Sequence, residues 1–100
     1  IYTSKELAQS SLIKNKISFF SKRFAAKEAF AKALGTGFRK NLNFKDIEII
    51  SDKIGKPYYN KTSKITKIIK KRFKVTKFNC FLSISNESDY STAFTIIQSL

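Results

Sequence analysis

The stretch RFAAKEAFAKALGTG, residues 23–37, holds one carboxylate, Glu28, among the cations Arg23, Lys27 and Lys32. Glu28 and Lys32 are four residues apart and share a helix face. The pair has two readings. One is an ordinary surface ion pair, worth about a few tenths of a kcal/mol. The other is chemistry. Ala25, Ala26, Ala29 and Ala31 leave little bulk around the acid, so another chain, a cofactor or a metal can come close. Gly35 and Gly37 permit a tight backbone turn beside it. A carboxylate ringed by cations can seat a Mg²⁺ that carries a pyrophosphate, while the cations neutralise phosphate oxygens. The chain has no histidine. That removes Ser-His-Asp catalysis and histidine zinc sites, and it leaves carboxylates and water as metal ligands, a set that suits Mg²⁺.

These residues need elements to hold them. Thr3 and Glu6 have capping-box spacing, so a helix starts there; AQSSLIKNK after it is a short helix or an irregular link. A second helix is expected from about Ser18 to Leu34. Phe20, Phe24, Ala31 and Leu34 would lie on its core face, with Phe19, Phe30 and Ala33 beside it, and Gly35 as its C-terminal cap. Arg23 and Lys27 would sit on a charged side with Glu28. FKDIEIISD reads as a short strand around residues 47–50, and KIGKPYY as a turn into another strand, with Pro57 at its start or on an edge. Lys61, Lys64, Lys67 and Lys70, three apart with Ile65, Ile68 and Ile69 between them, suit a basic amphipathic helix. KVTKFNCFLSIS alternates as a strand, NESD turns with Asn86 and Asp89 serving it, and YSTAFTIIQSL closes as a strand. Helices followed mostly by strands predict an α+β fold with an antiparallel sheet.

One hundred residues suffice for one domain with one core, and 42% hydrophobic residues predict folding rather than disorder. No apolar run reaches the ~20 residues that span a bilayer. Twenty Lys and Arg against seven Asp and Glu give a net charge of +13, which attracts nucleic acid, anionic membrane, phosphorylated ligands or an acidic protein. The basic segment 61–77 is a solvated face or a polyanion-binding helix. A small nucleic-acid-binding module is therefore the alternative reading, although the segment lacks the punctuation of a helix-turn-helix or an RNA-recognition motif. The lone Cys80 has no partner in its own chain and points to a reducing compartment.

RFAAKEAFAKALGTG, then DIEI, then GKPY, then SIS followed by DY, resemble in order and spacing the holo-acyl-carrier-protein synthases, the small trimeric class of 4′-phosphopantetheinyl transferases. IYTSKEL resembles the segment after that family's first helix, and the match runs from Ile1 to Gln98. The resemblance implies a trimeric α+β fold, helices packed on an antiparallel sheet, with residues 1–100 forming one domain. It implies Mg²⁺-dependent transfer of 4′-phosphopantetheine from coenzyme A to a serine of an acidic apo acyl carrier protein. Adenosine 3′,5′-bisphosphate is released, in the cytoplasm and in fatty acid biosynthesis, with no role for membrane or nucleic acid. By that resemblance Glu28 is a metal ligand, Lys32 lies near the reacting phosphate, and Arg23 belongs to the coenzyme A site. Gly37 falls in the loop beside the nucleotide, Pro57 frames the same cleft, and Ser85 and Asn86 occupy the family's Ser-His strand end.

The sequence departs from the family pattern twice. The family opens with a G-x-D strand, which supplies a second metal carboxylate, and a basic helix that grips the carrier protein. The 100 residues hold neither, so the domain is expected to be N-terminally incomplete; no other acid sits in a matching motif, Asp46 and Asp89 included. Asn86 replaces the usual histidine; it can hydrogen-bond a phosphate or ribose but cannot carry charge. If the family's histidine helps hold the nucleotide's 3′-phosphate, this protein is expected to bind that phosphate less strongly or through another basic residue, such as Lys45.

Overall fold

The computed structural model describes residues 1–35, 42–86 and 90–100. Helix α1 spans Ser4–Ser10 and α2 spans Lys16–Leu34; a 3₁₀ turn at Phe44–Asp46 leads to strand β1, Ile49–Ser51, and β2 follows at Pro57–Tyr59. Helix α3 is Ser63–Phe73, and the long strands β3, Phe78–Asn86, and β4, Ser91–Ser99, close the chain. β1 pairs antiparallel with β2, Ile49 opposite Tyr59, and β3 pairs antiparallel with β4, Phe78 opposite Ser99 and Asn86 opposite Ser91. Among the described residues the architecture is α+β with antiparallel pairing throughout, in accord with the sequence.

The local causes are legible. Both halves of the Thr3–Glu6 capping box form. Asn15 caps α2 by accepting the Ser18 N–H at 3.0 Å, so the helix begins earlier than its apolar pattern suggests. Gly35 ends it in the left-handed region at φ 77°. Thr62 caps α3, whose Ile65 and Ile69 are buried and whose lysines face outward. In β3, Phe78, Cys80, Leu82 and Ile84 point inward, joined by Ala93 and Ile97 of β4. They meet Ala26, Phe30 and Leu34 of α2, which lies across the hairpin. The Tyr59 hydroxyl bridges the layers, donating to the Ala26 carbonyl at 2.6 Å and lying 2.6 Å from Thr95 Oγ1.

The charged side expected for α2 is corrected. Phe19, Arg23, Ala26, Lys27, Phe30, Ala31 and Leu34 form its buried face, while Phe24 is exposed. Two cations lie within the apolar stripe because each meets polar partners there. The Lys27 ammonium donates to Glu6 Oε1 at 2.9 Å, to the Phe44 carbonyl at 2.7 Å and to the Ile47 carbonyl. Arg23 reaches α1 and β1. The first expected strand is also shorter than 47–50 suggested: Ile47 follows the 3₁₀ turn, and pairing starts at Ile49.

Candidate active site

A cleft of about 530 Å³ opens at the N-terminal end of α2. Its walls come from the α1–α2 connection, the first turns of α2, the β1–β2 turn and the end of β3. Each wall is fixed locally. In the β1–β2 turn, Asp52 Oδ1 accepts the backbone N–H groups of Ile54 at 3.1 Å and Lys56 at 2.8 Å, and Gly55 takes φ 87°. This turn delivers Pro57 to the rim as the first residue of β2. At the end of β3, Asn86 Nδ2 donates to Ser18 Oγ at 3.2 Å while its Oδ1 accepts from Ser91 Oγ at 2.8 Å.

Arg23 is the built-in cation of the cleft. It is 4% exposed, its guanidinium lies 3.8 Å above the Phe19 ring, and its Nη2 donates to Ser51 Oγ at 2.9 Å and Gln9 Oε1 at 3.3 Å. Burial lowers its pKa from the ordinary arginine value, partly offset by Glu6, but a guanidinium keeps its charge in proteins. Its Nε–H is the one buried side-chain polar atom without a partner among the described residues. Lys22, beside it, also lines the cleft.

The structure thus gathers Arg23, Pro57 and Asn86 from three elements into one cavity. Ser85 is not part of it: Ile84 and Asn86 line the wall, so the alternation of the strand turns the intervening side chain to the other face. Glu28 and Lys32 lie further along α2, the carboxylate ~7.5 Å beyond Arg23 along the axis at 1.5 Å per residue. Both are exposed and outside the cleft wall. No ion pair joins them; among the described residues the ion pairs are Glu6–Lys27 and Asp46–Lys64. Lys45 lines a different cavity, with Ile1 and Leu42. Asp46 is committed to Lys64 and to the Asn43 N–H, both at 2.8 Å. Gly37 and Asp89 lie outside the described residues.

Sequence reasoning missed Lys22, Gln9 and Ser51 in the cleft and the buried Glu6–Lys27 pair. The signal for Lys27 was present: Phe19, Ala26, Phe30 and Leu34 recur at core spacing and bracket both cations. No pattern in the chain paired Glu6 with a residue 21 positions away.

Comparison with known proteins bears on this geometry. The 4′-phosphopantetheinyl transferase superfamily matches residues 1–95. The chain belongs to that family. The holo-[acyl-carrier-protein] synthase of Pelagibacter ubique is 61% identical over 98 residues, covering 98% of this chain and 77% of the relative. The crystal structure of holo-[acyl-carrier-protein] synthase from Neisseria meningitidis superposes with a TM-score of 0.84 at 35% identity, covering 99% of this chain and 77% of that one. The Bacillus anthracis holo-(acyl-carrier-protein) synthase, solved in complex with coenzyme A (3′,5′-ADP), gives 0.79 at 32% identity over 100% and 77% of the two chains. As a transferase of this family, the chain is an enzyme whose relatives include coenzyme A complexes. None of its described helices is long and apolar enough to cross a membrane.

Proposed function

We propose that this protein is a holo-acyl-carrier-protein synthase, residues 1–100 belonging to a single domain of it that is N-terminally incomplete. It moves the 4′-phosphopantetheine arm of coenzyme A to a serine of an apo acyl carrier protein and releases adenosine 3′,5′-bisphosphate, in the cytoplasm and in the service of fatty acid synthesis. The observation that carries this reading is the meeting of Arg23, Pro57 and Asn86 in one cofactor-sized cleft. The serine oxygen forms the new bond to phosphorus, the pyrophosphate P–O bond breaks, and the bisphosphate leaves with the electron pair. Arg23 and Lys22 neutralise phosphate oxygens by their charge. Asn86 offers a neutral amide to phosphate or ribose.

Glu28 is the candidate metal ligand. Mg²⁺ takes one or two carboxylates and completes its shell with water and substrate phosphates, so a single carboxylate on this chain can serve it. An exposed carboxylate without a hydrogen bond among the described residues is open to such a role. When bound, Mg²⁺ would supply charge neutralisation at the pyrophosphate. Lys32, one turn on, adds positive charge on the same face, and Glu28 through a water, or Lys32, accepts the serine proton, since these 100 residues hold no histidine to do so.

A homotrimer with sites between subunits accords with the outer face of the β3–β4 hairpin. Phe81 opposes Ile96, and Phe81, Ile96 and Phe94 are 50%, 48% and 66% exposed, apolar area that a second copy would cover. The +13 charge suits an acidic carrier protein. Incubation with coenzyme A, Mg²⁺ and apo carrier protein should add the mass of one pantetheine arm to the carrier. An unmodified carrier beside an active control enzyme would refute the proposal.

A further inference from the structure

The Glu6–Lys27 pair is closed on every side. Both side chains are 0% exposed. An ammonium has three N–H donors, and those of Lys27 are all used, on Glu6, on the Phe44 carbonyl and on the Ile47 carbonyl. The carboxylate is also satisfied. Its Oε1 accepts the Thr3 N–H at 3.0 Å as well as Lys27, and its Oε2 accepts the Ile49 N–H at 3.1 Å. Four segments therefore converge on one ion pair: the cap of α1, the middle of α2, the 3₁₀ turn and β1.

Stability does not explain such a pair, because well-packed apolar side chains at buried sites commonly serve as well or better. Buried ionic groups can instead fix register, since their bonds exist at one geometry, whereas apolar side chains tolerate sliding and rotation. The residue after Lys27 is Glu28. Each helical residue turns the chain by 100°, so a Lys27 pinned in the core sets the rotation and height of α2, and with them the outward direction of the Glu28 carboxylate.

We infer that the Glu6–Lys27 pair positions Glu28 for its metal: it holds α2 in the one rotation that presents this carboxylate. The inference rests on the reading of Glu28 as the metal ligand. Lys27 touches no reacting atom in this account and is a positioning residue, not a catalytic one.

The test uses Mn²⁺ as a paramagnetic stand-in, its binding to the full chain followed by electron paramagnetic resonance and independently of turnover. Glu28→Gln is measured first and should abolish site binding; retained binding would overturn the reading of Glu28, and the inference with it. The double variant Glu6→Gln/Lys27→Met removes both charges at similar volume. It should remain folded by circular dichroism and bind Mn²⁺ at least tenfold more weakly. Binding of Mn²⁺ at wild-type strength by this folded variant, with Glu28→Gln inactive in binding, would overturn the inference alone. Lys27→Arg covers the case in which the double variant does not fold. A planar fork cannot place three N–H groups on the same three acceptors, so weakened Mn²⁺ binding by folded Lys27→Arg supports the inference and unchanged binding overturns it.

Discussion

Replacing Glu6 by Gln tests what a desolvated charge costs. The side chain is fully buried and nearly isosteric with its replacement, but Thr3 and Ile49 donate to different carboxylate oxygens, so the amide oxygen can keep one of these contacts while the NH2 faces the other donor. The larger loss is the negative charge 2.9 Å from the Lys27 ammonium, which has no solvent to turn to. Removing one partner of a buried pair costs about 3–5 kcal/mol. The lower end applies here, because the Phe44 and Ile47 carbonyls still accept from the ammonium. At ~4–8 °C per kcal/mol for a domain of this size, about 3 kcal/mol lowers Tm by roughly 12 °C or more. Differential scanning calorimetry at fixed protein concentration reads this directly. The double variant Glu6→Gln/Lys27→Met should recover much of the loss, since it removes the stranded charge. A fall of less than about 4 °C for the single variant, or additive losses in the double, would refute the claim that this charge is sealed from water.

Three further outcomes follow from other parts of the fold. Asn86→His should tighten coenzyme A binding relative to wild type as pH falls through about 6.5; isothermal titration of both proteins at each pH checks this, the wild type accounting for the titration of the ligand's own 3′-phosphate, whose second pKa is about 6. Gly35→Ala should cost about 1 kcal/mol or more in urea unfolding, because Gly35 has φ 77° and a Cβ there would stand 3.2 Å from Arg72 Nη2. Burial holds the Tyr59 phenol well above its ordinary pKa, only partly countered by Thr95. The native state therefore keeps that proton where the unfolded chain releases it, and the stability this contributes is complete below about pH 10 and is lost at higher pH. Chemical denaturation at pH 9 and 11 should show that loss in the wild type, and Tyr59→Phe should diminish it.

Much of the fold could be read locally. Thr3, Asn15, Thr62 and Gly35 are terminal signals whose partners lie within a turn or so, so each helix boundary is written near itself. The alternation of β3 and β4 is equally local. The error on α2 had a non-local cause: Arg23 and Lys27 look like solvent-facing charges until Gln9, Ser51 and Glu6 arrive from other elements to satisfy them. The candidate site divides the same way. Glu28 and Lys32 stand on one helical turn and were nameable as a unit, whereas the cleft joins Arg23, Pro57 and Asn86 across 63 positions of chain.

By itself the sequence determined the helices and strands, the basic charge, the lack of any histidine chemistry and, through ordered motifs, the family. These depend on residue type and short spacing. Tertiary structure alone decided which cations are buried, that Ser85 turns from the cleft while Asn86 enters it, and that Lys22 rather than Lys45 stands there. A side chain's protonation, solvation and partner depend on the groups folding brings against it, and those groups lie tens of residues away along the chain.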